Sequence, residues 1–588
     1  MAKDSLNWKV AGPAGQGIMS TGLIFSKTCV RHGLDIFDYP EYPSIITGGH
    51  NTYQVLAAVD KAHCQKRHLD VLVALDEATL GLHLAELDQS SIVLFDSKNG
   101  QVDAKKYNLP AHIFDIPFSQ IAIEQSKNAL MANNVALGAS IYLLGLDLAI
   151  LNAVIADIFA DKGAEIIALN QKAALAGHEF IKNLDQQSTE LEQINLQTAT
   201  VGKNKASLTG NEAIALGALA GGLQFYAAYP MTPSSSVLHT LAAQAKQADI
   251  VVKHAEDEIS AINMALGSAY GGARSMTGTS GGGFCYMTEA LGLAGVAELP
   301  LVVLNSMRPG PALGMPTWTA QGDLLMVITA SQDEFPRFVL APADATEAFE
   351  LSRRAQELAE KYQTLVIILA DKYLSESRYV LNLESEQFSN QRFAFANPSS
   401  NQNKFFARYQ ITETGITQRF VPGQVGGTHI ANSYEHDEWG FATEEAAVRV
   451  AQNNKRFAKL SSMIKEIPPQ FYADQQAELT LISFGSTRGV LLEAQKLLNQ
   501  ENIKVNILNL SWLWPFPVEQ VKQVLKPASP AGRSKVESSK VITVEGNSQG
   551  QLSKLITQET GIKIQNQILK YDGRPFYAED LVEQIKHA

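Results

Sequence analysis

The acidic run Glu256, Asp257 and Glu258, in the segment “KHAEDEISAINMALGSAYGGA”, contains a carboxyl group that could do chemistry. The segment predicts a helix in which the positions three, four and seven residues after Glu258 are all apolar, whereas those after the other two acids include polar residues. A buried carboxylate is costly unless a partner binds or protonates it. Glu258 is therefore the candidate functional acid, while Glu256 and Asp257 fit first-turn acids that interact with the helix dipole.

The string “AAYPMTPSSSV”, residues 227–237, could hold a carboxylate. It overlaps the end of the apolar stretch “LQFYAAY”, so Thr232 is expected at the carboxyl end of a buried strand, as N-cap of the next helix with Pro233 at the first helical position. In doubly wound sheets ligands bind at this edge, where helix N–H groups and a hydroxyl suit a carboxylate. A plain capped turn without a ligand explains the local residues equally well.

Arg308 follows the buried stretch “LPLVVLNSM” and opens a loop stiffened by Pro309, Pro311 and Pro316. A planar guanidinium held by a rigid loop is a good clamp for a carboxylate. A solvated surface arginine is the ordinary alternative, and the three prolines favour the binding role.

A glycine turn near the N-terminus, “GPAGQG”, lies between a predicted strand and a predicted helix. The backbone N–H groups around Gly12, Gly15 and Gly17 could bind a cofactor phosphate there. The spacing is GxxGxG rather than GxGxxG, so tight strand–helix packing without a ligand is the alternative.

Cys285, in “GGGFCYMTEAL”, is predicted to carry a buried thiol.

Several domains must position these residues, because 588 residues are too many for one core and suit about three or four domains. Short apolar strands alternate with helices in three regions, which predicts an α/β chain with three parallel-sheet domains. The predicted divisions are an N-terminal domain at 1–183, a linker at 184–209, a middle domain at 210–375, a connecting segment at 376–472 and a C-terminal domain at 473–588.

Composition and charge exclude several classes of function. The formal net charge of −12 argues against nucleic acid as the main partner. The sequence contains no apolar run of the roughly 18–20 residues that span a bilayer, so no membrane contact is expected. The three cysteines, Cys29, Cys64 and Cys285, are far apart, which fits a reducing cytoplasm and cannot supply four ligands to an iron–sulfur cluster.

Several motifs, taken in order, give a resemblance to a known family. They are “YPMTPSS”, “EDEISAINMALGSAYGGARSMTGTSGGG”, “RPGPALGMPTWTAQGDL”, “EHDEWGFATEE” and “WLWPFP…VEGNSQGQL”. Together they resemble the alpha subunit of 2-oxoacid:ferredoxin oxidoreductases, especially the 2-oxoglutarate type, and the N-terminal “AGPAGQGI…YPSIITGGHN” resembles the family's gamma subunit fused in front. The resemblance covers nearly the whole chain. It implies a Rossmann-like gamma-type domain, a pyrimidine-binding domain for thiamine diphosphate and a transketolase C-terminal-like domain.

The resemblance also implies roles for individual residues. Glu258 matches the glutamate that activates thiamine diphosphate, Thr232 matches the threonine that contacts the carboxylate of the 2-oxoacid, and Arg308 matches the arginine of the substrate loop. The gamma-type domain is associated with coenzyme A, so the glycine turn “GPAGQG” stays a candidate for cofactor binding.

The implied reaction is oxidative decarboxylation of a 2-oxoacid, with 2-oxoglutarate as the expected substrate, to acyl-CoA and CO₂, with electrons passed to ferredoxin. The sequence lacks the GDG and spaced Asn of a diphosphate–magnesium site, and it lacks a cysteine cluster. In this family both belong to the beta subunit. Mg²⁺ and the [4Fe–4S] cluster are therefore expected on a separate beta chain, no metal is expected on this one, and two alpha and two beta chains form the expected assembly.

Two alternatives stay open at this point. The substrate could be pyruvate or a branched-chain 2-oxoacid, because part of the side-chain pocket is expected to come from the beta chain. A non-catalytic, dinucleotide-binding regulatory subunit belongs to another class, and it requires “GPAGQG” to bind NAD while the middle domain is inert.

Overall fold

The structure is a computed structural model that describes residues 3–44, 49–96, 111–187, 193–198, 205–382, 391–393, 395, 405–525 and 540–587. The chain forms two compact units. The first unit contains Met1–Leu208, Ser377–Glu384 and Tyr577–Asp580, and the second contains Thr209–Glu376, Ser385–Phe576 and Leu581–Ala588. No helix among the described residues is long and apolar enough to cross a membrane.

The first unit is built on an eight-stranded mixed sheet in the order β6-β5-β4-β1-β3-β2-β14-β7. β1, β4, β5 and β6 run parallel, whereas β3 and β2 pair antiparallel with their neighbours. The prediction of a parallel sheet is wrong for β2 and β3 of this unit. Only residues 42–49 join these two strands, and parallel strands need a longer crossover connection. The strands are β1 (Ser5–Pro13), β2 (Asp35–Glu41), β3 (His50–Ala58), β4 (Val71–Ala74), β5 (Ile92–Phe95), β6 (His112–Asp115), β7 (Lys205–Thr209) and β14 (Arg378–Asn382).

Helices pack against this sheet around a core that includes Trp8 and Phe25, whose stacked rings lie 4.1 Å apart. The buried Trp8 also donates its Nε1 hydrogen to Ser140 Oγ at 3.1 Å, so its polar edge is satisfied. The helices are α1 (Ile18–Arg31), α2 (Glu77–His83), α3 (Phe118–Ser126), α4 (Ala132–Leu143), α5 (Leu148–Ile158) and α6 (Ala164–Gln187), with 3₁₀ turns at Leu84–Glu86, Ala129–Met131 and Ala160–Lys162.

The second unit contains two further sheets, and the first of them has seven strands in the order β18-β12-β13-β11-β10-β8-β9. Six strands are parallel, and only the edge strand β18 pairs antiparallel. β18 lies in the predicted C-terminal domain, so the “WLW” motif completes the middle sheet. The strands are β8 (Phe225–Ala228), β9 (Val251–His254), β10 (Ser275–Thr279), β11 (Leu301–Met307), β12 (Arg337–Leu340), β13 (Leu365–Asp371) and β18 (Trp512–Trp514).

Seven helices among the described residues connect and flank these strands. Small residues allow close packing: a Cβ on Gly217 would lie 2.1 Å from the carbonyl oxygen of Phe349, on the neighbouring helix. The helices are α7 (Gly210–Ala220), α8 (Ser235–Ala248), α9 (Glu258–Tyr270), α10 (Gly281–Val296), α11 (Leu324–Thr329), α12 (Ala345–Tyr362) and α13 (Lys372–Glu376).

The third sheet has five strands in the order β15-β17-β16-β19-β20, parallel except for the edge strand β15. The predicted three α/β sheets are thus confirmed. The strands are β15 (Phe471–Ala473), β16 (Leu479–Phe484), β17 (Val505–Leu510), β19 (Val541–Glu545) and β20 (Asn566–Leu569), and the later helices are α16 (Thr487–Gln500), α17 (Val518–Leu525), α18 (Gln551–Thr560) and α19 (Ala578–His587).

The two predicted connecting regions contain more regular structure than the sequence analysis expected. The predicted linker at 184–209 includes the last turn of α6 and all of β7, although part of it lies outside the described residues. The segment at 376–472 supplies β14 to the first sheet and forms α14 (Ala446–Ala458), α15 (Leu460–Met463) and a 3₁₀ turn at Ile464–Glu466. Both regions are polar in composition, so local sequence patterns did not predict these elements. Their burial depends on residues that are far away in the sequence.

Buried charges attach the connecting segment to the middle domain. The Glu298 carboxylate contacts Lys455 and Lys459, and Arg408 donates to the Glu298 carbonyl at 2.9 Å. Burial alone would raise the pKa of Glu298, but the positive charges of these three residues hold it well below its usual range. Burial also lowers the pKa of Lys455 to about 8. Removing one partner would leave other charges buried without compensation.

Replacing Glu298 with Gln should lower the free energy of unfolding by about 3–5 kcal/mol, because breaking a buried ion pair strands the remaining charges. Denaturant unfolding of the purified chain measures this. Glu289→Gln is the matched control, since Glu289 is exposed on α10, the helix that ends just before Glu298. Equal effects of the two substitutions would contradict the assigned role of Glu298.

Candidate functional site

Four consecutive parallel strands of the middle sheet bring the candidate residues to one edge. Thr232 follows β8, Glu258 follows β9, Thr279 ends β10 and Arg308 follows β11. These strands are neighbours, and they run parallel. The carboxyl ends of parallel strands meet at one edge of a sheet, which is the usual ligand-binding edge of such folds.

Glu258 is the first residue of α9, and the sequence fixes that helix start. The Asp257 side chain accepts a hydrogen bond from the Ser260 N–H at 2.7 Å, and Ser260 reaches back to Asp257 in a capping box. This arrangement leaves Asp257 and Glu256 exposed and turns Glu258 inward, where it is only 5% exposed. The predicted burial of Glu258 is confirmed. The expectation that Glu256 and Asp257 lie in the first helical turn is wrong, because Asp257 is the N-cap and Glu256 precedes it.

The Glu258 carboxyl group lies in a buried and crowded environment. Glu258 Oε1 is buried and has no hydrogen-bond partner among the described residues. A Cβ placed on Gly283 would lie 2.6 Å from this oxygen and 2.0 Å from Thr279 Oγ1, so the two oxygens border the same small space. A buried polar atom without a partner costs about 1–3 kcal/mol, which water or a bound ligand must offset.

Further buried oxygens without a partner among the described residues lie at the same strand ends. They include Thr279 Oγ1, Ser280 Oγ and Asn305 Oδ1. Asn305 uses its Nδ2 group to donate to Asp323 at 3.1 Å. Burial raises the pKa of Asp323. This concentration of unsatisfied polar atoms marks the edge as a binding site for a polar ligand.

Arg308 and Thr232 are in direct contact. Arg308 Nη1 donates to the backbone carbonyl of Thr232 at 2.7 Å, and the arginine is 8% exposed. Burial lowers the pKa of Arg308 while the charge of Glu258 opposes this shift, so the two side chains interact electrostatically. An arginine stays charged under such shifts. The structure therefore brings Thr232, Glu258 and Arg308 to one site.

The predicted N-cap role of Thr232 is wrong. The helix α8 begins at Ser235, with Ser234 as its N-cap, and the Thr232–Pro233 peptide bond is cis. The N–H and the hydroxyl of Ser234 both bind the Met231 carbonyl, at 2.9 Å and 2.8 Å. This turn delays the helix and places Thr232 in the loop before it.

The predicted burial of Cys285 is also wrong. α10 packs its Phe284 and Met287 face into the core, and Cys285 lies on the opposite, exposed face. Partial burial and the nearby Asp323 raise the pKa of its thiol. The thiol therefore lacks the lowered pKa of a reactive cysteine.

The glycine turn belongs to the first unit, and packing explains two of its glycines. A Cβ on Gly12 would lie 3.0 Å from Leu75 Cβ, and one on Gly17 would lie 2.6 Å from Asn133 Nδ2. Gly15 has open space around it but a φ of +94°. A cavity of about 190 Å³ beside the turn is lined by Gln16, Leu75, Asp96, Ser119, Ala129, Leu130 and Ala132.

Sequence reasoning missed Thr279 and Gly283. Both occur in “SMTGTSGGG”, which contributed to the family resemblance without being assigned a role. Three successive glycines at the start of a helix were the available signal, because they allow close approach of other groups. Their contact with Glu258 depends on how α9 and α10 pack.

No group of three or more His, Cys, Asp or Glu residues in the described part of the chain could hold a metal ion.

Models of known families match three parts of the chain. Residues 7–180 match pyruvate ferredoxin/flavodoxin oxidoreductase, residues 216–455 match the thiamine diphosphate-binding domain of pyruvate flavodoxin/ferredoxin oxidoreductase, and residues 472–531 match the transketolase C-terminal domain. Fold, site and matches together define an oxidoreductase subunit with a thiamine diphosphate-binding domain.

Relatives of similar length show which family of oxidoreductase subunits the chain resembles. The alpha subunit of 2-oxoacid:ferredoxin oxidoreductase 2 from Aeropyrum pernix is 31% identical over 98% of this chain and 96% of its own. The 2-oxoglutarate oxidoreductase subunit KorA of Mycobacterium tuberculosis is 29% identical over 99% and 91%. A structure of 2-oxoglutarate:ferredoxin oxidoreductase from Magnetococcus marinus, with 2-oxoglutarate, coenzyme A and succinyl-CoA bound, is 31% identical with a TM-score of 0.89 over 100% of this chain and 99% of that one. The chain belongs to the family of 2-oxoacid:ferredoxin oxidoreductase alpha subunits.

Replacing Gly283 with Ala should displace the Glu258 carboxyl group and lower the free energy of unfolding by about 1–3 kcal/mol, the usual cost of overpacking. Gly282→Ala is the matched control, because a Cβ there meets nothing closer than the Ala312 carbonyl oxygen at 3.6 Å. Urea unfolding of both variants gives the comparison. A Gly283→Ala chain as stable as the Gly282→Ala chain would contradict the crowding described here.

Proposed function

We propose that this chain is the catalytic alpha subunit of an enzyme that oxidatively decarboxylates 2-oxoglutarate to succinyl-CoA and CO₂ and reduces ferredoxin, together with a separate beta chain. The observation that carries the proposal is the buried Glu258 carboxyl group, unpartnered among the described residues, at the sheet edge that also holds Arg308. Membership of the alpha-subunit family and the similarity to a 2-oxoglutarate enzyme support it.

The residues at this edge fit thiamine diphosphate. Glu258 Oε1 is a buried acceptor that needs a donor, and Gly283, which has no Cβ, allows this oxygen to lie close to the start of α10. Thr279 and Ser280 offer further hydroxyl groups without partners among the described residues. When bound, thiamine diphosphate supplies the nucleophile and electron sink that decarboxylation of a 2-oxoacid requires.

Glu258 has the environment that a proton-controlling acid needs. In a buried site, a hydrogen bond that the Glu258 carboxylate accepts from a ring N–H is strong, and it fixes which tautomer the ring adopts. The apolar residues Ala261, Ile262 and Ala265, all fully buried on the same helix face, exclude water from one side of Glu258. Glu258 therefore holds the proton at the ring nitrogen of the cofactor.

Arg308 and Thr232 bind the carboxylate of the 2-oxoacid. Arg308 uses Nη1 to hold the Thr232 carbonyl, which fixes the plane of the guanidinium for a bidentate contact with a carboxylate through its other N–H groups. The Thr232 hydroxyl, in the loop before α8, adds a further hydrogen bond. These contacts orient the substrate at the same edge as Glu258.

The beta chain supplies the remaining parts of the enzyme in this proposal. The [4Fe–4S] cluster for electron transfer belongs there, because this chain has only three cysteines and they are far apart in sequence. Mg²⁺ for the diphosphate belongs there as well, because this sequence lacks the GDG and spaced Asn of a diphosphate–magnesium site. Coenzyme A is the acyl acceptor, and two alpha and two beta chains form the assembly. Three free cysteines suit the reducing cytoplasm.

Reconstitution with the beta chain tests the proposal. The complex should reduce ferredoxin in a reaction that requires 2-oxoglutarate and coenzyme A, whereas the lone chain should not. A panel with pyruvate and branched-chain 2-oxoacids identifies the substrate, and calorimetry with NAD tests the regulatory alternative. Activity of the lone chain would show that the assigned division of labour is wrong.

Replacing Glu258 with Gln in the reconstituted complex should slow ferredoxin reduction by about 100-fold or more, the usual contribution of a positioned acid–base group. Proton exchange at C2 of bound thiamine diphosphate should slow as well. Glu256→Gln is the matched control, because Glu256 is exposed two residues earlier. Near-normal exchange in the Glu258→Gln complex would rule out the assigned role.

Replacing Arg308 with Ala should raise the KM for the 2-oxoacid by about 10-fold to 100-fold, because one charge-assisted contact is lost. The kcat should fall less. Steady-state kinetics of the complex measures both, with Lys246→Ala on the exposed surface of α8 as the control. An unchanged KM would contradict a carboxylate contact.

A further inference from the structure

The loop that begins with Arg308 has no regular structure of its own. Residues 308–323, here called the substrate loop, lie between β11 and α11. The tip is exposed, with Leu313 at 69% exposure. Such a loop would lose conformational freedom on binding a ligand, and this cost weakens binding unless other contacts order the loop beforehand.

The C-terminal domain holds the second half of the substrate loop through backbone hydrogen bonds. Thr319 N–H donates to the Gly573 carbonyl at 3.1 Å, and Gln321 N–H donates to the Gly546 carbonyl at 2.7 Å. The Gly546 N–H returns a bond to Gln321 Oε1 at 3.0 Å. The loop therefore pairs with two separate turns of the third sheet.

Two side chains of the C-terminal domain make further contacts with the substrate loop and with the start of α11. The Arg574 guanidinium lies over the ring of Trp318, 3.2 Å from its centroid. Gln551 Nε2 donates to the Gly322 carbonyl at 2.6 Å, and Gln551 Oε1 accepts from the Leu325 N–H at 3.0 Å. Gly546, Gln551, Gly573 and Arg574 are here called the C-terminal clamp.

A short chain of contacts connects the clamp to Arg308. Met315 lies against Gly573, where an added Cβ would be 3.2 Å from the methionine sulfur. Met315 N–H donates to the Pro309 carbonyl at 3.0 Å, and this bond closes the exposed tip into a ring. Fixing Met315 and Trp318 thus fixes Pro309, the residue next to Arg308.

We propose that the C-terminal clamp positions Arg308 for the 2-oxoacid carboxylate by ordering the substrate loop before substrate binds. Arg574 and Gln551 are positioning residues in this proposal, which rests on the proposed function of Arg308. The segments 545–552, “EGNSQGQL”, and 571–575, “YDGRP”, then contribute to substrate affinity, although neither touches the substrate.

Kinetics of the reconstituted complex test the clamp. Arg574→Ala and Gln551→Ala should each raise the KM for 2-oxoglutarate about fivefold, the equivalent of one stacking contact or net hydrogen bond, with kcat changed less than about twofold. The matched controls are Lys563→Ala and Gln558→Ala, at exposed positions of the same domain, and Gln558 lies on α18 with Gln551. A fall in kcat and thermal stability with an unchanged KM would reduce the clamp to a structural role and overturn the proposal.

A double mutant tests whether the clamp acts through Arg308. In an Arg308→Ala background, adding Arg574→Ala should leave the KM within about twofold, because coupled residues do not contribute additively. A further fivefold rise would show that Arg574 acts independently of Arg308 and would overturn the proposal.

Hydrogen exchange decides the ordering step without any activity measurement. In the full chain without substrate, peptides covering residues 309–323 should exchange faster in Arg574→Ala and Gln551→Ala than in the two control variants. Unchanged exchange would overturn the clamp. If the wild-type complex showed no 2-oxoacid-dependent activity, the proposed function would fail, while this measurement would still decide whether the clamp orders the loop.

Discussion

Burying a carboxyl group is energetically costly, and the middle domain contains one such group, Glu258, that has no ion-pair partner in the part of the chain that the structure describes. Glu258 is turned into the protein by a capping box at Asp257 and Ser260, and the missing side chain of Gly283 makes room for its carboxyl group. The neighbouring strands β10 and β11 place the hydroxyl groups of Thr279 and Ser280 and the side-chain amide of Asn305 at the same edge. The cost of a buried, unpaired acid makes sense only where a ligand completes its hydrogen bonding.

Two other buried glutamates of the same unit show the contrast. Glu298 is bound by Lys455 and Lys459. Glu360 is bound by Arg274, Arg392 and Arg419, and the positive charges keep its pKa low although burial would raise it. Both groups form ion pairs within the chain, so they stabilise the attachment of the connecting segment. Because Glu258 lacks such partners among the described residues, the same physical rule separates the functional acid from the structural ones.

The third sheet shows how a ligand-binding edge can be used for packing. Its strand order changes direction between β16 and β19, which is where ligands bind in many open α/β sheets. Here Gln321 of the substrate loop occupies the edge: its Oε1 accepts from Thr487 at 3.1 Å, and its Nε2 donates to the Phe484 carbonyl at 3.1 Å. The edge therefore holds a loop of the middle domain, whose Gln321 binds polar groups that follow β16 and β19.

The sequence by itself determined the alternation of strands and helices, the burial of Glu258 and the placement of Thr232 and Arg308 after buried strands, because these follow from local periodicity and composition. Local patterns could not determine that β2 and β3 pair antiparallel, that Cys285 faces outward, or that a turn delays the helix after Thr232. Those features depend on connection length, on which helix face meets the core, and on one hydrogen-bonded turn. Only the tertiary structure decided that Gly283 borders Glu258 and that Arg574 holds Trp318, since each pair is joined by packing between elements far apart in sequence.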